Sequence, residues 1–153
     1  MTLEELVSSS PIIVRAVPDG APTLKRVFFG ESPLPKSHPL RPPSEVKIPL
    51  HPFRIESVLK ASGSVADRIA VMSYEAEQSL DWATRMHRDG TSKSYIVPRY
   101  ASVPGLELDA LGERPVLLFL RGHDAEFILA AEGALEDPRQ EPVVLTLIRG
   151  AGA

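Results

Sequence analysis

The residues of this chain best equipped for chemistry lie between Arg85 and Tyr100, in the run R-M-H-R-D-G-T-S-K-S-Y-I-V-P-R-Y. Arg85, His87, Arg88, Lys93 and Arg99 are interleaved there with Tyr95 and Tyr100, and only Asp89 offsets the positive side chains. Cations neutralise phosphates and aromatic rings stack on bases, so this mixture suits a single-stranded nucleic acid or another anionic ligand. The same cations also suit the last turn of a helix, where they oppose the partial negative charge of free carbonyls.

Other chemical signals fail on context. Gly90-Thr91-Ser92-Lys93-Ser94 lacks the glycine that a phosphate-binding loop places directly before its lysine, and it follows a helix instead of opening one. Ser57 and Lys60 have acyl-transferase spacing, but they lie on a strand. His38, His51, His87 and His123 are scattered without ligand spacing, so no metal site is expected. Glu75 and Glu77 do not share a helix face, and Asp81 with Glu77 fits a solvated helix side. No catalytic residues and no cofactor are therefore assigned, and the balance leans away from an enzyme.

The elements that must position these residues come next. With 153 residues, 43% of them apolar, the chain is long enough for one domain with a real core. Fifteen prolines disfavour a helical bundle, and ten of them fall between Pro11 and Pro52. A formal charge of −3 gives no global attraction to nucleic acid or anionic membrane, although a local patch could still act. The absence of cysteine excludes disulfides, thiolate metal sites and a cysteine nucleophile. No apolar run reaches membrane-spanning length. The chain reads as soluble and cytoplasmic as it stands, or as exported if a leader has been removed.

Thr2 to Glu5 forms a capping box that predicts a helix from Leu3 to about Ser8. Pro11 to Val17 and Leu24 to Phe29 read as strands that pair as a hairpin; Pro18-Asp19-Gly20 is a turn signal, but with Ala21-Pro22-Thr23 the connection is too long for a tight turn. Gly30 to Glu45 holds five prolines in sixteen residues and predicts a surface loop. Within it, Arg41 lies in a P-x-x-P spacing of the kind that aromatic grooves read. Val46 to Gly63 reads as one long bent strand: its apolar parity changes at His51-Pro52 and again at Val58-Leu59, which predicts a bulge or corner at each. Asp67 to Ser73 is a further strand. Ser73 then caps a helix from Tyr74 to about Arg88, which packs through Ala76, Leu80, Ala83 and His87 with Trp82 and Met86. Pro115 to Leu120 is apolar at consecutive positions, as in a strand covered on both faces, and forms a hairpin with Glu126 to Ala131. Pro142 to Ile148 fits a strand or a short helix equally.

Three pieces in this order carry a resemblance: E-E-L-V-S-S-S-P-I-I-V-R-A-V at 4–17, P-F-R-I-E-S-V-L-K-A-S-G at 52–63 and G-E-R-P-V-L-L-F-L-R at 112–121. Together they resemble a group of poorly characterised bacterial OB-like barrel domains, similar in shape to the domains of tissue inhibitors of metalloproteinases and netrins. The resemblance covers about a third of the chain and implies an architecture without a chemistry. Those inhibitors chelate zinc through an N-terminal cysteine, which this chain lacks.

These readings converge on a single mainly-β domain over 1–153. The expected fold is an OB-like barrel, closed or partly open, with a short N-terminal helix, one inserted helix at about 74–88 and a proline-rich loop at about 30–45. The expected function is a non-enzymatic interaction module that meets a protein partner through its irregular segments. Arg41, Arg85, His87, Arg88, Lys93, Tyr95, Arg99 and Tyr100 are the candidate contacts. Single-stranded nucleic-acid binding through the 85–100 segment is the second expectation, and an unrecognised enzyme is the third.

Overall fold

The computed structural model describes residues 1–31, 43–89 and 97–151, so Arg41 with most of the proline-rich segment, and the stretch that holds Lys93 and Tyr95, lie outside the described residues. Helix α1 (Leu3–Ser9) opens the chain, and Thr2 caps it by accepting the Glu5 amide at 3.1 Å. Strands β1 (Ile12–Pro18), β2 (Thr23–Phe28), β3 (Glu45–Lys60) and β4 (Val65–Met72) follow. Helix α2 (Tyr74–Asp89), β5 (Val116–Leu129), the short β6 (Leu135–Glu136) and α3 (Glu141–Ala151) complete the order.

The strands close into an OB-like barrel. β1 and β4 both run antiparallel to β3, so they point the same way. The first half of β5 is antiparallel to β1, whereas its second half is parallel to β4. β5 must therefore reverse direction within its own length, and the Ala130 amide donates to the Phe119 carbonyl at 2.9 Å across the resulting hairpin. Gly122 permits the reversal: its φ is +118°, and a Cβ there would meet the Glu126 carbonyl at 3.0 Å. With the two halves of β5 counted separately, five strand passages close the ring in the order β1, β3, β4, second half of β5, first half of β5. The expected hairpin over 115–131 is thus present, and α2 lies in the connection between β4 and β5.

The parity changes in β3 have two different causes. Near its end, register shifts against β1 leave Glu56 and Leu59 without counterparts, so the expected bulge at Val58-Leu59 is real. At His51-Pro52 the irregularity lies on the opposite chain: Pro18 pairs with Phe53 and Thr23 with Leu50, so Asp19 to Pro22 bulge out opposite His51 and Pro52. The Asp19 amide still donates to the Pro52 carbonyl at 2.9 Å, which keeps the ladder continuous. β1 and β2 consequently follow one another along the same edge of β3 and do not pair with each other, which corrects the expected hairpin. The turn residues Pro18-Asp19-Gly20 serve a bulge in a long ribbon. The buried face of β3 switches because different layers cover its two halves. Val46 lines a groove against α2, whereas Phe53 belongs to the barrel core.

The half of β3 paired with β2 therefore forms an arm extending beyond the barrel, with α2 packed along it. Ser73 caps α2 by accepting the Ala76 amide at 3.1 Å, and Ala83 and Met86 are its buried positions. Val116 to Leu120 are all fully buried, as are Ile12 to Val14. Both faces of these strands are covered because α1 and α3 join the same apolar cluster through Leu6, Val7 and Val144. The 142–148 run is a helix: Val144, Leu147 and Ile148 follow helical spacing inward while Val143 faces solvent.

Candidate functional site

Helix α2 places three of the candidate contacts. Arg85 Nε lies 3.0 Å from Asp81 Oδ2, one turn earlier. Both line a hollow of about 250 Å³ with Tyr74, Glu77 and Arg121. Arg121 forms an ion pair with Glu77, and its guanidinium sits 5.9 Å from the Tyr74 ring centroid. His87 stacks on Phe29 with centroids 4.8 Å apart and planes 10° from parallel. Its Nε2 lies 2.8 Å from the Pro43 carbonyl, which can only accept, so Nε2 donates. His87 is thus a clasp between α2 and both described ends of the proline-rich segment, which the bond from the Phe29 amide to the Ser44 carbonyl also closes at 2.8 Å. Arg88 is exposed on the same helix turn.

Arg99 and Tyr100 have other partners. Arg99 forms a parallel bridge with Glu132 and also an ion pair to its carboxylate at 3.2 Å. The Tyr100 hydroxyl donates to Glu136 Oε2 at 2.5 Å. Burial first, then the hydrogen bond and negative charge of Glu136, push the Tyr100 phenol well above its ordinary value. Arg85 on the one hand, and Arg99 with Tyr100 on the other, therefore meet different acidic partners, the first along α2 and the second after β5.

Two features were not visible in the sequence. The first is the arm. Its outward face carries Leu24, 62% exposed, and Phe28, 69% exposed, with Arg26 between them. Arg26 lies 5.7 Å from the Phe28 centroid and bonds Glu45 at 2.5 Å. On the other side of the arm, Pro43, Val46, Trp82 and Ala83 wall a groove of about 590 Å³ against α2.

The second is a cleft of about 410 Å³ at the end of the barrel, where β3 enters and β4 leaves. Pro49 and His51 come from β3, Ser73 from the start of α2, Leu129 and Gly133 from the end of β5, and Leu106 and Asp109 from the 97–115 connection. Arg114 shapes that connection by donating to the carbonyls of Gly105, Ala110 and Leu111 at 2.9, 3.2 and 3.2 Å, while Leu106 and Leu111 are buried beneath it. His51 is only 8% exposed, whereas the Asp109 side chain is 88% exposed. Burial lowers the His51 pKa, and the Asp109 carboxylate partly restores it. The imidazole is therefore neutral at neutral pH. Its Nε2 lies 3.6 Å from Asp109 Oδ1, beyond hydrogen-bonding distance. Asp109 stands far from His51 in the chain, so no local spacing could have paired them.

Among the described residues no group of three or more His, Asp or Glu side chains could hold a metal ion, and no helix is long and apolar enough to cross a membrane. The fold and these surfaces define a small OB-like barrel with a projecting two-stranded arm. Comparison with protein families, curated proteins and solved structures finds no match.

Proposed function

We propose that this protein is a non-enzymatic interaction module that binds a protein partner through the β2–β3 arm. One observation carries the reading: β2 has a single strand neighbour among the described residues and holds Leu24 and Phe28 in solvent. An open edge with exposed apolar side chains is a template for strand addition, where main-chain bonds supply affinity and alternate side chains supply specificity. On this face Arg26 is paired with Glu45 and Lys47 lies opposite Arg26, so a partner strand that sets an acidic side chain at Lys47 between apolar ones fits it. A second copy fits less well, because antiparallel self-pairing centred on β2 sets Lys25 opposite Arg26. His87 holds Phe29 and Pro43 beside the arm.

The test is a photo-crosslinking amino acid placed at Phe28 and, separately, at Val58, which is exposed on β3 away from the arm. In the native cell, position 28 should give one discrete protein adduct that disappears when Leu24→Ser is added, and position 58 should give none. Equal adducts from both positions, or none from 28, would overturn the reading.

Single-stranded nucleic-acid binding is the second reading, favoured by the OB-like topology. Against it, Arg85 and Arg99 already face Asp81 and Glu132. A salt-dependent mobility shift with labelled oligonucleotides supports it, and no binding at low salt removes it. The likeness to the inhibitor and netrin domains extends, on our reading, to barrel shape alone.

A further inference from the structure

Among the described residues both edges of the β2–β3 arm are open, and they are built differently. The Phe29 amide donates to the Ser44 carbonyl at 2.8 Å, and these residues stand directly opposite each other in the register that pairs Phe28 with Glu45. In an antiparallel ladder such bonded pairs alternate with pairs whose main-chain groups point outward. The N–H and C=O groups of Leu24, Arg26 and Phe28 on β2 therefore point away from β3, and the main-chain groups of Glu45, Lys47 and Pro49 point away from β2. Pro49, with no amide hydrogen, fits this assignment. β4 pairs β3 only from His51 to Arg54, so no described strand covers the β3 edge from Glu45 to Pro49. A proline and two charged side chains blunt that edge, as edges that must stay unpaired are blunted. β2 has no proline from Thr23 to Phe28, and its outward-pointing positions include Leu24 and Phe28, both in solvent.

Resting on the arm as the binding surface, we infer that the partner is an extended segment laid antiparallel along β2 with the pattern apolar-x-acidic-x-apolar. Its acidic residue stands opposite Arg26 and its apolar residues opposite Leu24 and Phe28. Antiparallel pairs are the more stable per residue, and in them directly opposite residues exchange both main-chain bonds. The partner residues that make the bonds are then the ones whose side chains share the face of Leu24, Arg26 and Phe28. Charge sets the acid at the centre. Glu45 already pairs with Arg26, but Lys47, opposite Arg26 on the same face, is exposed and has no ion pair among the described residues. A lysine and a glutamate side chain together bridge the two strand spacings, about 9–10 Å, between Lys47 and the partner residue. The flanking apolar side chains take Leu24 and Phe28 out of water.

The probe is the peptide acetyl-G-V-T-E-T-V-G-amide, titrated into the isotopically labelled full chain and followed by amide NMR shifts. It should give saturable shifts at Leu24, Arg26 and Phe28, with a dissociation constant in the high micromolar to millimolar range of a short flexible strand. N-methylation of the glutamate or of either valine removes a bonding amide and sets a methyl group against β2, and should weaken binding roughly tenfold or more. N-methylation of either threonine, whose amide points outward, should leave affinity within about twofold. Lysine in place of the peptide's glutamate should weaken binding about two- to fivefold, and Lys47→Glu in the protein should reverse that preference. Equal losses at every N-methylated position, losses at the threonines alone, an unreversed charge preference or no saturation would overturn the inference. So would shifts at the same amides when the protein alone is concentrated, which would make a second copy the occupant. The crosslink at position 28 separates the two levels. A discrete adduct without peptide binding strikes this partner pattern and leaves the arm as the binding surface, whereas no adduct strikes both.

Discussion

Replacing Tyr100 by Phe should destabilise the protein in a way that depends on pH. Glu136 is only 6% exposed and has two hydrogen-bond donors: the Tyr100 hydroxyl at 2.5 Å and the Asp137 amide at 3.0 Å. The variant keeps the ring and removes one donor from a buried carboxylate, a loss of about 1.5–3 kcal/mol for a bond to a charged group. The folded phenol titrates above its unfolded value, so its contribution is complete below about pH 10 and is lost as pH rises through the folded value. Above about pH 10 the unfolded tyrosine ionises while the folded one does not, which erodes wild-type stability by at most about 1.4 kcal/mol per pH unit. The Phe variant has no such term. Urea unfolding of both proteins from pH 7 to 11 should show a constant gap to about pH 9.5 that then narrows. A gap below about 0.5 kcal/mol, or one unchanged at pH 11, would refute the reasoning.

Gly133→Ala should cost about 2–4 kcal/mol, because the residue has φ +73° and an added Cβ would lie 2.5 Å from the Tyr100 carbonyl oxygen. Gly150→Ala, inside α3 with nothing within 4 Å of the new Cβ, should instead stabilise by about 0.5 kcal/mol, and urea midpoints measure both. Asp109→Asn should lower the His51 titration midpoint further, since it removes the carboxylate that opposes desolvation, and ring NMR shifts follow it directly. With the folded pKa below the unfolded one, the His51 contribution is complete above about pH 6.5 and is lost as pH falls, so acid sensitivity should begin at wild-type pH values and extend lower in the variant.

Much of the barrel was legible because its signals are local. The capping box of α1, the Ser73 cap of α2 and the continuous apolar run at Val116 to Leu120 each describe one element and its own surroundings. What misled was the meaning of correct signals. Pro18-Asp19-Gly20 has turn composition, but whether a turn reverses the chain or only bulges it depends on what lies opposite. Here β3 continues past the bulge and carries both β1 and β2 on one edge. The parity change at His51 was read from a real pattern, yet its cause is that α2 covers one half of β3 and the barrel core the other, a fact of tertiary layering.

The same distinction explains the candidate contacts. Charge and aromatic content mark Arg85 to Tyr100 as a candidate surface, but composition does not say what its residues meet: Asp81 pairs with Arg85, Glu132 with Arg99, and Glu136 accepts from the Tyr100 hydroxyl. Conversely, the His51 cleft is built from residues unremarkable in isolation. His51 gains its buried position from the strand junction, and Asp109 reaches it only because Arg114 binds three carbonyls of the connection. Removing that staple therefore discriminates between the two surfaces. Arg114→Ala should loosen the Asp109 loop and so lower the His51 pKa, as Asp109→Asn does, while Leu24 and Phe28, on a ribbon held by β3, keep their exposure and their crosslinks. An unchanged His51 titration, or loss of the crosslinks as well, would refute this assignment of Arg114.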